Sequence, residues 1–214
     1  MMEELKAAVG PGEKILYEGK PDKKCYIFES IFNPLLPLAL LWGIADFTII
    51  KTLYSFSKLA DYFDFDFDYD FDVNILFIII PFILLHMMPV WIYLFGVLFT
   101  IRRYKNTAYI VTDNAVYTSS GIFTHNINTK PFAELSHVDL HRGFFDRMFN
   151  VGDIFMTSSQ LTTRGRSTTI VINSISNYID VYNLVKKLQT DIYTDVMYPN
   201  AKRPTENPGY HTQY

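Results

Sequence analysis

The sequence has a single cysteine, Cys25, among its 214 residues, so no disulfide can form within the chain. It also lacks a glycine-rich phosphate loop, a nucleophile elbow and an HExxH motif. We therefore expect no enzymatic activity, no cofactor and no small-molecule substrate. The first 30 residues contain no apolar run followed by a small-residue cleavage site, so we expect no signal peptide.

Charged residues are missing from the stretch Val73–Ile101, whose 29 residues include no Asp, Glu, Lys or Arg. Arg102, Arg103 and Lys105 follow it directly. The hydrocarbon core of a bilayer, about 30 Å thick, needs roughly 20 apolar residues in a helix. Buried helices of soluble proteins seldom contain so long an uncharged run. The stretch 73–101 is therefore predicted to be a transmembrane helix.

A second apolar block, Ile31–Ile50, reads IFNPLLPLALLWGIADFTII and is just long enough to span a bilayer. Asn33 and Pro34 are typical of the start of a helix. Asp46 opposes insertion by about 2.5–3.5 kcal/mol, but the large apolar residues around it outweigh that cost. We predict a second transmembrane helix at 31–50, with a shallow re-entrant hairpin as the alternative.

Two polar residues, Asp46 and His86, lie inside the predicted spans. An ionisable residue within a membrane indicates a functional site by default. Asp46 would lie near one end of its span and His86 deeper in the other. They can pair only if the first helix continues to about Phe56. Otherwise Asp46 reaches water outside the membrane, towards Lys51.

The connection between the spans, residues 51–72, ends in the run DYFDFDFDYDFD. Alternation with a period of two puts the carboxylates on one face of an extended segment and the aromatic rings on the other. The run fits either an interfacial loop with its rings among the headgroups, or a site for a hard cation. It is not an EF-hand, because Tyr69 and Ile75 occupy the positions that need Gly and Glu. The candidate metal ligands are Asp64, Asp66, Asp68, Asp70 and Asp72.

Basic residues near the span ends predict the orientation in the membrane. Seven basic residues lie before the first span or after the second, namely Lys14, Lys20, Lys23, Lys24, Arg102, Arg103 and Lys105. The connection between the spans contains only Lys51 and Lys58. We therefore expect a multi-pass protein of the plasma membrane, with both termini in the cytoplasm and the acidic connection outside.

The chain after Ile101 has the pattern of a small β domain. Short runs rich in β-branched and aromatic residues alternate with turn signals, of which Asp113-Asn114 fits a two-residue hairpin. A helix is predicted at 177–192, where Val181, Tyr182, Val185, Leu188 and Ile192 form an apolar stripe. The predicted strands are Thr107–Thr112, Ala115–Ser119, Thr129–Phe132, Leu135–His141, Asp153–Ser158 and Thr168–Asn173. These elements indicate a β-sandwich or partly open barrel closed by the helix.

Three segments carry a resemblance to a known family: GEKILYEGKP at Gly12–Pro21, YIVTDNAVYTSSGIF at Tyr109–Phe123 and DRMFNVGDI at Asp146–Ile154. In these the chain resembles the bacterial pleckstrin-homology-like membrane proteins. The resemblance implies a seven-stranded barrel with a C-terminal helix and no enzymatic activity, and it transfers no binding residues. Only six strands are predicted after Ile101, so we expect residues 13–18 to supply or extend a further strand.

The predicted organisation is an N-terminal cytoplasmic segment at 1–30, the two spans and their connection within 31–101, the β domain at 102–195 and a disordered tail at 196–214. We expect a membrane-anchored scaffold whose β domain binds a protein or a lipid headgroup, with self-association possible and no nucleic-acid partner. The alternative is an ion- or metal-responsive membrane protein that uses Asp46 and the acidic run 61–72. The candidate binding residues are Arg102, Arg103, Lys105, Arg164 and Arg166.

A further metal candidate lies in one predicted strand, where His137, Asp139 and His141 share a face. The same spacing is typical of polar residues on a solvated strand face, and the sequence favours that interpretation.

Overall fold

The computed structural model describes residues 1–62, 81–161 and 167–197. The chain divides into two compact units. The β domain comprises Met1–Glu29 and Thr100–Tyr214, and the helical unit comprises Ser30–Phe99. The acidic residues Asp64 to Asp72 and the pair Arg164 and Arg166 lie outside the described residues.

The β domain contains two antiparallel sheets. The first has four strands and the second has three, and neighbouring strands in each sheet follow one another along the chain. The strands are β1 Ile15–Gly19, β2 Ala108–Thr112, β3 Ala115–Ser120, β4 Asn126–Pro131, β5 Leu135–His141, β6 Gly152–Leu161 and β7 Ser167–Ile175. The prediction of about seven strands is therefore confirmed.

The seventh strand comes from the N-terminal segment. This agrees with the expectation from six predicted strands after Ile101 and the seven that the resemblance implies. β1 pairs with β2 in antiparallel register, from Ile15 opposite Thr112 to Gly19 opposite Tyr109. Glu13, just before β1, accepts a hydrogen bond from the Thr112 hydroxyl at 2.6 Å. Segments about 90 residues apart in sequence thus form one sheet.

Strand β2 is buried along its whole length because both of its faces are covered. Tyr109 and Val111 belong to the main core, which lies among the two sheets and the C-terminal helix. Ala108 and Ile110 face the other way and pack with Leu5 of the first helix, which is completely buried. A strand with no polar face is the expected result of such two-sided packing.

Six α-helices have both of their bounds within the described residues: α1 Met2–Ala7, α2 Lys23–Ile31, α3 Leu35–Tyr62, α4 Met88–Lys105, α5 Phe144–Phe149 and α6 Tyr178–Met197. Residues 81–86 are also helical. The predicted apolar stripe of α6 is confirmed, since Val181, Val185, Leu188 and Ile192 are buried in the main core. The sequence did not predict α1, α2 or α5, which are short or polar.

Helix α3 starts and ends later than the predicted span 31–50. Asn33 Oδ1 accepts a hydrogen bond from the Leu35 backbone N–H at 2.8 Å, which caps the helix start. Beyond Ile50, the hydroxyls of Thr52 and Ser55 donate to the carbonyls four residues earlier. These polar residues can therefore be accommodated in the helix, which continues to Tyr62.

Within the helical unit, α3 packs in antiparallel fashion against the segment that contains residues 81–86 and the start of α4. Tyr93 donates a hydrogen bond to the Ile31 carbonyl at 3.0 Å, and Trp42 donates to the His86 carbonyl at 2.7 Å. A Cβ atom at Gly43 would lie 3.8 Å from Val90, an ordinary van der Waals contact, so the two helices approach each other closely there.

One helix in the described part of the chain is long and apolar enough to cross a membrane, at Leu35–Thr52. Helix α4 alone is shorter and ends in Arg102, Arg103 and Lys105. The N-terminal part of the predicted span 73–101 lies outside the described residues. The second span therefore stays a prediction.

Candidate functional site

A groove of about 650 Å³ lies in the β domain, where the first sheet approaches β7 of the second. We call it the β3–β7 groove. It is lined by Tyr26, Arg103, Thr107, Tyr109, residues 118–124 of β3 and the following loop, Asn126 and Asn128 of β4, and Thr169, Ile170, Val171 and Asn173 of β7. Polar and apolar atoms contribute about equally to its surface, and the polar side chains other than Arg103 have hydroxyl or amide groups.

One hydrogen bond between the sheets fixes the inner wall of the groove. The backbone N–H of Asn173 in β7 donates to the hydroxyl of Tyr109 in β2 at 3.0 Å. Burial raises the pKa of Tyr109, so this hydroxyl remains neutral. A neutral, hydrogen-bonded tyrosine makes the wall rigid without adding charge.

The strands beside the groove are edge strands. In the described structure, β4 pairs only with β3, and β7 pairs only with β6. Side chains alternate along β4, so Asn126 and Asn128 line the groove whereas Ile127 does not. Edge strands present unpaired backbone donors and acceptors that can bind an added extended segment.

The three basic residues that follow the apolar stretch have different environments. Arg103 lines the groove, and its guanidinium has no ion-pair partner among the described residues. Arg102 Nε donates to the Ile122 carbonyl at 2.9 Å, and its guanidinium lies 5.6 Å from the centre of the Phe123 ring. Lys105 is exposed. Only Arg103 is therefore placed to contact a ligand in the groove.

Asp46 and His86 lie together in the helical unit. Asp46 Oδ1 is 2.5 Å from His86 Nδ1, and the Asp46 side chain is 7% exposed. The condition for pairing, a first helix that reaches about Phe56, is met because α3 continues to Tyr62. The alternative in which Asp46 reaches water near Lys51 is wrong. Asp46 Oδ2 is buried and has no hydrogen-bonding partner in the described structure.

A buried cluster of metal-ligating residue types lies elsewhere in the β domain and was not predicted. The possible ligand atoms of Cys25, Glu29 and Asp146 all lie within 4.8 Å of one another. Those of His141, Asp146 and Asp153 form a second group of the same kind. His141 thus lies with Asp146 and Asp153, whereas His137 and Asp139 are exposed, which agrees with the favoured interpretation of a solvated strand face.

The electrostatics of this cluster follow from burial and from neighbouring acids. The pKa of Glu29 is raised to about 7, mainly by burial and to a smaller extent by the Asp146 and Asp153 carboxylates. The pKa of the Cys25 thiol is raised to about 12, mainly by burial and to a smaller extent by Glu29 and Asp146. Burial also raises the pKa of Asp153, although the Ser174 backbone N–H donates to its carboxylate at 2.6 Å.

The elements that form the cluster are held by local hydrogen bonds. The Cys25 N–H donates to Asp22 Oδ1 at 2.9 Å in the first turn of α2. Asp146 Oδ2 accepts from the Gly143 N–H at 2.7 Å at the start of α5. Sequence reasoning missed the cluster because its members are up to 128 positions apart. The only local signal is the pair of acids in DRMFNVGDI.

Comparison with known proteins identifies the family. A sequence profile described as Bacterial PH domain matches residues 39–189, which is 151 of the 214 residues. No curated protein and no solved structure matches the chain. The matched range covers most of the helical unit and β2 to β7, and it confirms the resemblance seen in the sequence. The chain therefore belongs to the bacterial PH domain family.

Proposed function

We propose that this chain is a membrane-anchored, non-enzymatic scaffold that presents the β3–β7 groove to an extended segment of a partner protein. Membership in the bacterial PH domain family suggests a binding or scaffold module in general terms. The membrane anchor, the groove and the kind of partner are the specific parts of the proposal.

The observation that carries the anchor is the exposure of apolar side chains along α3. Leu41 and Phe47 are each 69% exposed, and Ile44 is 62% exposed. A helix in a soluble protein buries its apolar stripe, whereas a helix with large apolar residues exposed around it is stable in lipid. The proposed partner of this surface is the bilayer.

The second span and the orientation extend this proposal. Residues 73–101 contain no charge, and the part described from residue 81 packs against α3. If the chain has two spans, the excess of Lys and Arg before the first span and after the second favours cytoplasmic termini. The β domain would then face the cytoplasm from the plasma membrane.

The groove favours a protein segment over a lipid headgroup. Two edge strands beside it can pair with an extended backbone, and the amide and hydroxyl groups of the lining can bind peptide groups. Recognition of an anionic headgroup depends on clusters of Lys and Arg. Among the described residues, Arg103 is the only basic residue in the lining.

A photo-crosslinking experiment tests the groove. A photoreactive phenylalanine at Asn128 should yield a discrete protein adduct in native membranes. The same residue at Ile127, on the other face of β4, should not. A charge-assisted hydrogen bond contributes about 1.5–3 kcal/mol, so Arg103→Ala should reduce the adduct about tenfold or more. Lys105→Ala, a matched loss of charge outside the lining, should have little effect.

The other results of the same experiment contradict the proposal. A lipid adduct at Asn128 would assign the groove to a headgroup. Equal yields at Asn128 and Ile127, or equal effects of the Arg103 and Lys105 variants, would show that the groove is not the binding surface.

The alternative of an ion-responsive membrane protein stays a prediction. One carboxylate oxygen of Asp46 is bound to His86. The acidic run from Asp64 to Asp72 lies outside the described residues.

A further inference from the structure

The cluster around Asp146 combines a sulfur atom with carboxylate oxygens in a buried position. Cys25 is 0% exposed and Asp146 is 1% exposed. The Cys25 thiol donates to Asp146 Oδ1 at 3.5 Å. With the Glu29 carboxylate, these two side chains provide three possible ligand atoms within 4.8 Å of one another, from helices α2 and α5.

The acids in and beside this cluster are not paired with a Lys or Arg side chain in the described residues. None of Glu29, Asp146 and Asp153 forms a salt bridge within the described residues. The neighbouring cation, Arg142, donates instead to the backbone carbonyls of Val151 and Asp146. Buried carboxylates are normally paired with a cation or bound to a metal ion.

A second, independent observation points to a ligand at the cluster. The Ser174 hydroxyl lies next to the Cys25 thiol. It is completely buried and forms no hydrogen bond of normal geometry in the described structure, although it is close enough to the thiol to lower the pKa of Cys25. A buried polar atom without a partner is costly, so such an atom beside three ligand-type side chains indicates a bound ion or its water.

We propose that Cys25, Glu29 and Asp146 bind a divalent transition-metal ion of the zinc class, with the Ser174 hydroxyl facing the bound ion. Thiolate ligands select zinc and similar ions over calcium and magnesium, which take oxygen ligands only. Zinc also accepts carboxylate oxygens in tetrahedral sites. The ion would neutralise the uncompensated acids and join α2 to α5.

Cobalt(II) is a suitable probe because its absorption spectrum reports thiolate ligation. The full-length protein, purified in detergent with a chelator and then desalted, should bind one equivalent of Co²⁺. Binding should produce a near-ultraviolet thiolate-to-cobalt charge-transfer band that Zn²⁺ removes. Cys25→Ser should lose this band. Glu29→Gln should weaken Co²⁺ binding at least about tenfold, since even partners outside the ligand set change affinity by that factor.

A matched control is Asp180→Asn, which removes an exposed carboxylate outside the cluster and should leave the titration unchanged. Circular dichroism shows which variants are folded, and Glu29→Gln provides a test if Cys25→Ser does not fold. Co²⁺ bound without a charge-transfer band would place the ion elsewhere, for example on the acidic run, and would overturn the proposal. An unchanged affinity in Glu29→Gln, or no binding at millimolar Co²⁺, would also overturn it.

Discussion

The His86→Ala variant should lose about 3 kcal/mol of stability in its helical unit, because the substitution leaves the buried Asp46 carboxylate without a partner. Breaking a buried pair typically costs 3–5 kcal/mol. The lower figure applies here because the His86 side chain is 37% exposed, so the pair is only partly removed from solvent. Both tryptophans of the chain, Trp42 and Trp91, lie in this unit. Tryptophan fluorescence during thermal unfolding in detergent therefore measures its stability.

A double-mutant cycle separates the pair from simple loss of packing. The Asp46→Ala/His86→Ala double variant should be more stable than His86→Ala alone, because it contains no orphaned carboxylate. His125→Ala is the matched control, since His125 pairs with Glu4 at 3.1 Å on the surface of the β domain. Exposed pairs contribute roughly 0–1 kcal/mol. Additive effects of the Asp46 and His86 substitutions would show that the pair has no coupling energy.

Gly121→Ala should destabilise the β domain by about 3 kcal/mol, the sum of strain of about 1–3 kcal/mol and a steric clash. Gly121 has a φ angle of 151°, which other residues rarely adopt. A Cβ atom there would lie 1.7 Å from the Thr124 carbonyl oxygen, a contact that the backbone must move to relieve. The loop that would move forms one wall of the β3–β7 groove.

The buried Cys25 thiol reports this destabilisation without an added probe. With a chelator present, a maleimide reacts with Cys25 only when the domain opens, so the labelling rate measures the free energy of opening. Gly121→Ala should raise that rate roughly 100-fold. Gly12→Ala is the control, because Gly12 has a φ angle of 89° but a Cβ atom there would meet no other atom within 4 Å. Equal rates in the two variants would show that the Gly121 clash is not a determinant of stability.

Local sequence signals predicted most of the β domain. The alternation of β-branched and aromatic residues gave Leu135–His141 with its observed bounds, and Asp113-Asn114 does connect β2 to β3. The stripe of α6 was predicted because helical spacing is visible in one segment. The N-terminal strand β1 was expected because six strands were predicted after Ile101 whereas the resemblance implied seven; its pairing with β2 leaves no trace in the neighbouring residues.

Features that depend on distant segments could not be predicted in this way. The groove exists because β7 approaches β3 and β4, and no periodicity in Asn126 or Asn173 indicates that approach. Cys25 and Asp146 come together although 121 residues separate them. The pairing of Asp46 with His86 depended on where α3 ends, and helix ends are the least reliable part of a sequence-based assignment.

The orientation of the anchor tests the central proposal most directly, and two new cysteines can report it. Leu59 is 53% exposed beyond the apolar part of α3, and Ser176 is exposed just before α6. Neither substitution changes a charge, and the buried Cys25 of the wild-type protein provides the unlabelled control. In intact spheroplasts, a membrane-impermeant maleimide should label Leu59→Cys, whereas Ser176→Cys should react only after lysis. Labelling of Ser176→Cys in intact spheroplasts, or release of the protein from membranes by alkaline carbonate without detergent, would contradict a cytoplasmic β domain anchored in the bilayer.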